Sequence, residues 1–157
     1  MSSSMLEAMR AAPRWLIYRN VPQPGKKARK VPHYADGAPR QGTLDTPADL
    51  ARLVTHDAAV AALQARGQDW GLGFALGPDG TGNYWQGIDL DNVEANSLIE
   101  IADSLPGYVE YSPSGNGGHA IGYGAKFETL GSNGTGIEAY CEGRFFTFTG
   151  NIIRDSQ

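Results

Sequence analysis

From Trp70 onward this chain alternates apolar and polar residues with a period of two, the mark of strands with one buried face rather than of helices. The runs are WGLGFAL at 70–76, YWQGIDL at 84–90, YVEY at 108–111, HAIG at 119–122, GIEAY at 136–140 and FFTF at 145–148. Segments rich in Gly, Asp and Ser separate them and read as turns. The turn at 78–83 predicts a hairpin of 70–76 with 84–90. Cys141-Glu142-Gly143 predicts a last hairpin of 136–140 with 145–148. In this half only 94–105 reads as a helix, and 124–136 reads as irregular. Before Trp70, residues 14–19 (RWLIYR) read as a strand, and Thr46-Pro47 opens a helix with an N-cap followed by proline. A second short helix covers 57–65, closed by Gly67. Residues 20–45 hold Pro22, Pro24, Gly25, Pro32, Gly37, Pro39 and Gly42, which predicts a long loop. This order of elements predicts an α+β domain with a largely antiparallel or mixed sheet.

The 157 residues suit one domain, with a flexible N-terminus at 1–13, the folded unit at 14–151 and a tail at 152–157 that starts a linker to further domains. No repeat or internal linker divides it. The one cysteine, Cys141, excludes an intramolecular disulfide framework and a Cys-rich zinc site. No apolar run approaches the ~20 residues a spanning helix needs, and residues 1–14 lack the pattern of a signal peptide. The expected setting is soluble, reducing and cytoplasmic.

Net charge is −4, which taken globally disfavours a nucleic-acid binder. Its distribution points the other way. Residues 10–40 hold eight of the thirteen basic side chains and one acid, so that segment carries +7 and the remainder −11. Lys26, Lys27, Arg29 and Lys30 form its densest run. Such asymmetry suits a polyanion-facing arm beside an acidic site that holds cations, and it equally suits a solvated loop.

Three motifs carry chemistry. In Gly87-Ile88-Asp89-Leu90-Asp91, strand alternation sets Asp89 and Asp91 on one face and Ile88 and Leu90 on the other. Two like charges so close are stable together mainly with a cation between them, and hard oxygen ligands suit Mg²⁺ or Mn²⁺. Gly87 leaves room beside them. The loop Ser112-Pro113-Ser114-Gly115-Asn116-Gly117-Gly118-His119 has almost no side-chain bulk, so its N–H groups can turn inward around an anion, with Ser hydroxyls and His119 as further donors. It lacks the ending of a Walker A loop. In Gly136-Ile137-Glu138-Ala139-Tyr140, Glu138 faces away from the apolar pair and can complete a three-carboxylate site. Arg144 follows and can hold a phosphate bidentately. Each motif alone is equally a strand end, a hairpin loop or a solvated sheet face.

In order and spacing, GIDLDN, YSPSGNGGHAIG and GIEAYCEGRFFTFTG resemble the archaeo-eukaryotic primase superfamily, most of all the primase/polymerase (prim-pol) domains of phage and plasmid replication proteins. Trp15, Lys30-Val31-Pro32 and Gly71-Leu72-Gly73-Phe74 fit the same family, so the resemblance runs over about 14–151. It implies a core of two packed α/β units, one like the RNA-recognition fold, and template-directed nucleotidyl transfer with two divalent metals. It implies Asp89, Asp91 and Glu138 as metal ligands, Glu138 standing where many relatives have Asp. It implies Ser112, Ser114, Gly115, Gly117, His119 and Arg144 around the nucleotide, and Lys26, Lys27, Arg29 and Lys30 on DNA. Its expected partners are nucleoside triphosphates, single-stranded DNA template and primer, and a helicase domain downstream. Two other readings stay open, a non-catalytic nucleotide- or DNA-binding replication module of the same fold and a metal-dependent nuclease.

Overall fold

The computed structural model describes residues 4–131 and 134–156. In chain order the elements are α1 (Met5–Ala11), β1 (Trp15–Gln23), β2 (Lys26–His33), α2 (Pro47–Leu50), α3 (His56–Gln64), β3 (Trp70–Ala75), β4 (Gly77–Pro78), β5 (Tyr84–Leu90), α4 (Ala95–Ser104), β6 (Tyr108–Tyr111), β7 (Gly118–Gly124), β8 (Ile137–Tyr140), β9 (Phe145–Phe148) and β10 (Ile152–Asp155). The domain is α+β. Its strands form two sheets, one ordered β2-β1-β3-β9, the other β10-β6-β7-β5-β4 with β8 also on β5. Every pairing between these strands is antiparallel, so neither sheet is mixed.

Three local expectations differ from the structure. Residues 20–33 are not loop. β1 runs on to Gln23 and turns back into β2, because the prolines of this segment fall where the hairpin tolerates them, at its end (Pro22, Pro24) and on an edge strand (Pro32). β3 and β5 do not form a hairpin, since β3 pairs with β1 and β9 while β5 pairs with β4, β7 and β8. Nor do β8 and β9, which lie in different sheets, so Cys141-Glu142-Gly143 is a crossing between sheets. Near the chain ends, the start of α1 meets the end of β10. Ser4 caps α1 through the Glu7 N–H, Leu6 and Met9 are buried, and the Leu6 and Met5 N–H groups donate to Asp155 and Ser156 beside β10. Residues 1–3 and 157 lie outside the described residues.

The main core fills the space between the sheets. Trp15, Phe74, Leu76 and Phe146 meet Trp85, Tyr108, Ile121 and Tyr140, with Met9 and Ala59 closing one end. Trp15 is fully buried and its Nε1 donates to the Met9 carbonyl at 2.7 Å, so its one polar atom is satisfied. A second cluster of Ala102, Val109 and Ala120 packs α4 onto the outer face of the larger sheet. The room at Gly87 is taken by the fold itself. A Cβ there would collide with the Phe146 ring and with Leu76 Cδ1.

A buried ionic network fixes residues 34–49. Arg40 donates to both Asp49 oxygens at 2.8 and 2.7 Å, the Tyr34 hydroxyl donates at 2.7 Å and the Asp45 N–H at 2.8 Å. Asp45 in turn accepts from the Gly143 N–H at 2.7 Å, which ties the network to the turn before Arg144. Burial would raise the Asp49 pKa, but the bonds from Arg40, Tyr34 and the backbone outweigh it and hold it at about 2. A lowered carboxylate pKa stabilises the fold above the unfolded value and is lost as pH falls through the folded one, here from about 4 to about 2. The Asp49→Asn variant is expected to lose about 3 kcal/mol at neutral pH. That deficit should shrink by roughly 2 kcal/mol as pH falls through the window. Urea unfolding at stepped pH measures it, and a deficit independent of pH would contradict it.

Candidate active site

Antiparallel register places four ionisable residues in one row across four neighbouring strands. Glu138 on β8 lies opposite Asp89 on β5, Asp89 opposite His119 on β7, and His119 opposite Glu110 on β6. Directly opposed residues share a face, so the row reads acid, acid, imidazole, acid. It faces the cleft where the two sheets meet, and His119 lies against the Phe146 ring with centroids 4.9 Å apart.

The two ends of the row are solved differently. Glu110 is fully buried, and among the described residues its ion-pair neighbour is His119, not a Lys or Arg. It accepts from the Thr149 N–H at 3.0 Å, the Gly150 N–H at 3.3 Å and the Tyr108 hydroxyl at 3.0 Å. Its Oε2 lies 3.5 Å from His119 Nδ1, and Nδ1 is also 3.2 Å from the Thr147 carbonyl oxygen. Both neighbours are acceptors, so Nδ1 carries a proton and Nε2 is the atom that faces Asp89 Oδ1, at 3.5 Å. At the other end Asp89 stands beside two more carboxylates. Burial raises its pKa; nearby His119 lowers it; Asp91 and Glu138 raise it; Lys27 lowers it; the net shift is upward. Glu138 accepts from the Tyr140 hydroxyl.

Asp89, Asp91, Glu138, Ser112, Ser114, His119 and Arg144 all line one cleft of about 720 Å³, within the range of small-molecule sites. Lys27 and Lys30 from the β1–β2 hairpin line it too, so the basic segment and the acidic motifs share one chamber. Lys26 and Arg29 do not line it, and neither do Gly115 and Gly117. In the loop at 112–117 the Ser112 N–H donates to the Gly117 carbonyl, the Gly115 N–H to the Ser112 carbonyl, and the Asn116 N–H to Ser114 Oγ. Ser112 and Ser114 line the cleft. Gly115 turns at φ +77°, and a Cβ on Gly117 would overlap the Leu90 carbonyl oxygen, so both glycines shape the loop. Arg144 lies over the Tyr140 ring, 4.6 Å from its centroid.

With this geometry in view, the chain is similar to a DNA Primase-polymerase of Nitratiruptor phage NrS-1. The two are 27% identical over 160 residues, an alignment that covers 94% of this chain and 20% of the phage protein. The chain thus spans about a fifth of that relative's length. No family model matches it.

Sequence reading missed Glu110, Tyr140 and Phe146. A single Glu between Val109 and Tyr111 reads as the exposed member of a strand, and only the register shows that its face is the inner one. As they stand, the carboxylates do not form a closed metal site: among the described residues no three His, Cys, Asp or Glu side chains are grouped to hold an ion. Their chemistry nonetheless fits a hard divalent cation, since Asp89 is half-buried with two carboxylates beside it and its own charge is disfavoured.

Two outcomes follow from the row. The Glu110→Ala change strands two N–H groups and a hydroxyl, and should cost at least about 3 kcal/mol in urea unfolding. Glu110→Gln keeps an acceptor and should cost clearly less; equal losses would contradict this account of Glu110. A carboxylate with raised pKa loses stability as pH rises through it. At neutral pH with chelator, Asp89→Asn should therefore raise Tm by about 1–4 °C, and a lowered Tm by scanning fluorimetry would contradict it.

Proposed function

We propose that this domain performs template-directed nucleotidyl transfer, as the DNA primase and DNA polymerase domain of a phage or plasmid replication protein. One observation carries the reading: a single cleft sets Asp89, Asp91 and Glu138 against Lys27, Lys30 and Arg144. Acidic and basic groups gathered in one cleft are what a reaction between a nucleoside triphosphate and a nucleic-acid end requires. The similarity to a phage DNA Primase-polymerase along nearly the whole chain supports the same choice.

In this reading Asp89, Asp91 and Glu138 hold Mg²⁺ or Mn²⁺, two ions in all. Such ions, when bound, make a 3′-hydroxyl more acidic and neutralise charge on the departing pyrophosphate. The rest falls to the chain's own groups. Arg144, kept in place against Tyr140, offers a planar fork to phosphate oxygens. The Ser112 and Ser114 hydroxyls, 3.2 Å apart, donate to the triphosphate. His119 is held through Nδ1, so Nε2 is left to act in the cleft between Asp89 and the nucleotide. Lys27 and Lys30 take the backbone of the single-stranded template or primer.

The test is primer extension with labelled nucleotide, template DNA and Mn²⁺. Wild-type protein should extend the primer, and Asp89→Asn and Asp91→Asn should each cut incorporation by 10³-fold or more, on the order of 4 kcal/mol of barrier, while staying folded. Undiminished incorporation by both variants would end the assignment. Shortened DNA would point to a nuclease, and nucleotide binding without extension to a non-catalytic module.

A further inference from the structure

The β1–β2 hairpin divides its basic residues between two faces. Neighbours along a strand point to opposite sides, so Arg29 lies on the side of β2 opposite Lys30, which lines the cleft. The register shows what Arg29 joins. Val21 lies opposite Arg29, Arg19 opposite Val31 on one side and opposite Trp70 on the other, and Ile17 opposite His33. Arg19, Arg29, Val31, His33 and Trp70 therefore share one face of the smaller sheet, the face that carries Trp15, Phe74 and Phe146 farther along the same sheet. Arg66, just before β3, lies over the Trp70 ring with its guanidinium carbon 4.9 Å from the centroid, and His33 meets the same ring edge-on at 4.8 Å.

Three facts mark this face as a surface for a partner. Arg19, Arg29 and Arg66 are exposed, and none has a carboxylate partner among the described residues, whereas Arg40, Arg52, Lys126 and Arg154 each have one. Trp70 is half-buried, while Trp15 and Trp85 are in the core. And β2 is an edge strand, so this face and the cleft meet around its open side. Unpaired arginines call for a polyanion; a half-exposed Trp with an Arg stacked on it calls for flat apolar rings. Together they fit a nucleic acid whose bases are free to stack, which a duplex does not offer.

We infer that Arg19, Arg29, Arg66 and Trp70 form a second nucleic-acid surface that binds single-stranded DNA on the side of β2 opposite Lys30 and leads it around that edge to Lys30. The choice of partner rests on the function proposed for the cleft; the surface itself does not use the cleft's residues. The competing account is that these charges only keep an edge strand from pairing with other molecules.

Because Trp70 is the one half-buried tryptophan, it reports directly. Titrating full-length protein with oligothymidylate should quench its fluorescence, and Trp70→Phe should remove the quenching and weaken binding about tenfold. Nucleoside triphosphate alone should leave Trp70 emission unchanged. The combined Arg19→Ser, Arg29→Ser and Arg66→Ser variant should lower the slope of log affinity against log salt by about 2, at roughly 0.7 per contact on single strands. Its Tm and its nucleoside triphosphate affinity should match wild type. Unquenched Trp70 fluorescence, or a triple variant with wild-type affinity and slope, would overturn the surface and leave the edge-protection account. Quenching in a protein that never extends a primer would sink the function proposed for the cleft and leave this surface standing.

Discussion

Carboxylates set directly opposite one another on adjacent strands repel, and this fold contains such a pair in Asp89 and Glu138. Two strands further on lies Glu110, fully buried. The sheet tolerates three acids in one row because each meets a different answer. Glu110 is satisfied from within, by two N–H groups, a hydroxyl and the protonated side of His119. Glu138 takes the Tyr140 hydroxyl. Asp89 is left with His119 on one side, acids on the other and a raised pKa. Asp89, whose charge is disfavoured, lines the cleft, which is where an external cation would gain most.

The cleft depends in turn on how the sheets meet. Phe146 of the smaller sheet lies against Gly87 of the larger one and against the His119 ring, so one aromatic side chain both seals the core and walls the row. From the other side the Asp45 carboxylate holds the Gly143 N–H, which sets the turn that presents Arg144. That carboxylate belongs to the network around Asp49, 4% exposed and pinned by Arg40. Packing and buried polar bonds far from the row therefore fix the positions of its cationic neighbours. Lys27 and Lys30 of the basic segment thus line the same chamber as Asp89, Asp91 and Glu138 of the acidic remainder.

Much of this was legible in the sequence where local chemistry decides. The Thr46 cap and Pro47 gave α2, the period-two runs gave β3, β5, β6 and β9, and strand alternation marked Asp89. What stayed hidden was set by partners distant in the chain. The hairpin of β1 and β2 reads as loop because Pro22, Pro24 and Gly25 mask a strand whose pairing tolerates them. Nothing in Cys141-Glu142-Gly143 distinguishes a hairpin turn from a crossing between sheets. Glu110 looks like an ordinary exposed Glu until β6 is placed beside β7. Helix α1 is only seven residues long, and it holds through burial of Leu6 and Met9 and through its bonds to Asp155 and Ser156.

The most direct measurement is a crystal structure with Mn²⁺ and a nucleoside triphosphate, using the anomalous signal of manganese to locate the ions. The account predicts anomalous peaks bounded by Asp89, Asp91 and Glu138, with Glu138 released from Tyr140, and the triphosphate between Arg144 and the Ser112–Ser114 hydroxyls. Manganese or triphosphate bound elsewhere on the domain, with the carboxylate row unchanged, would contradict it.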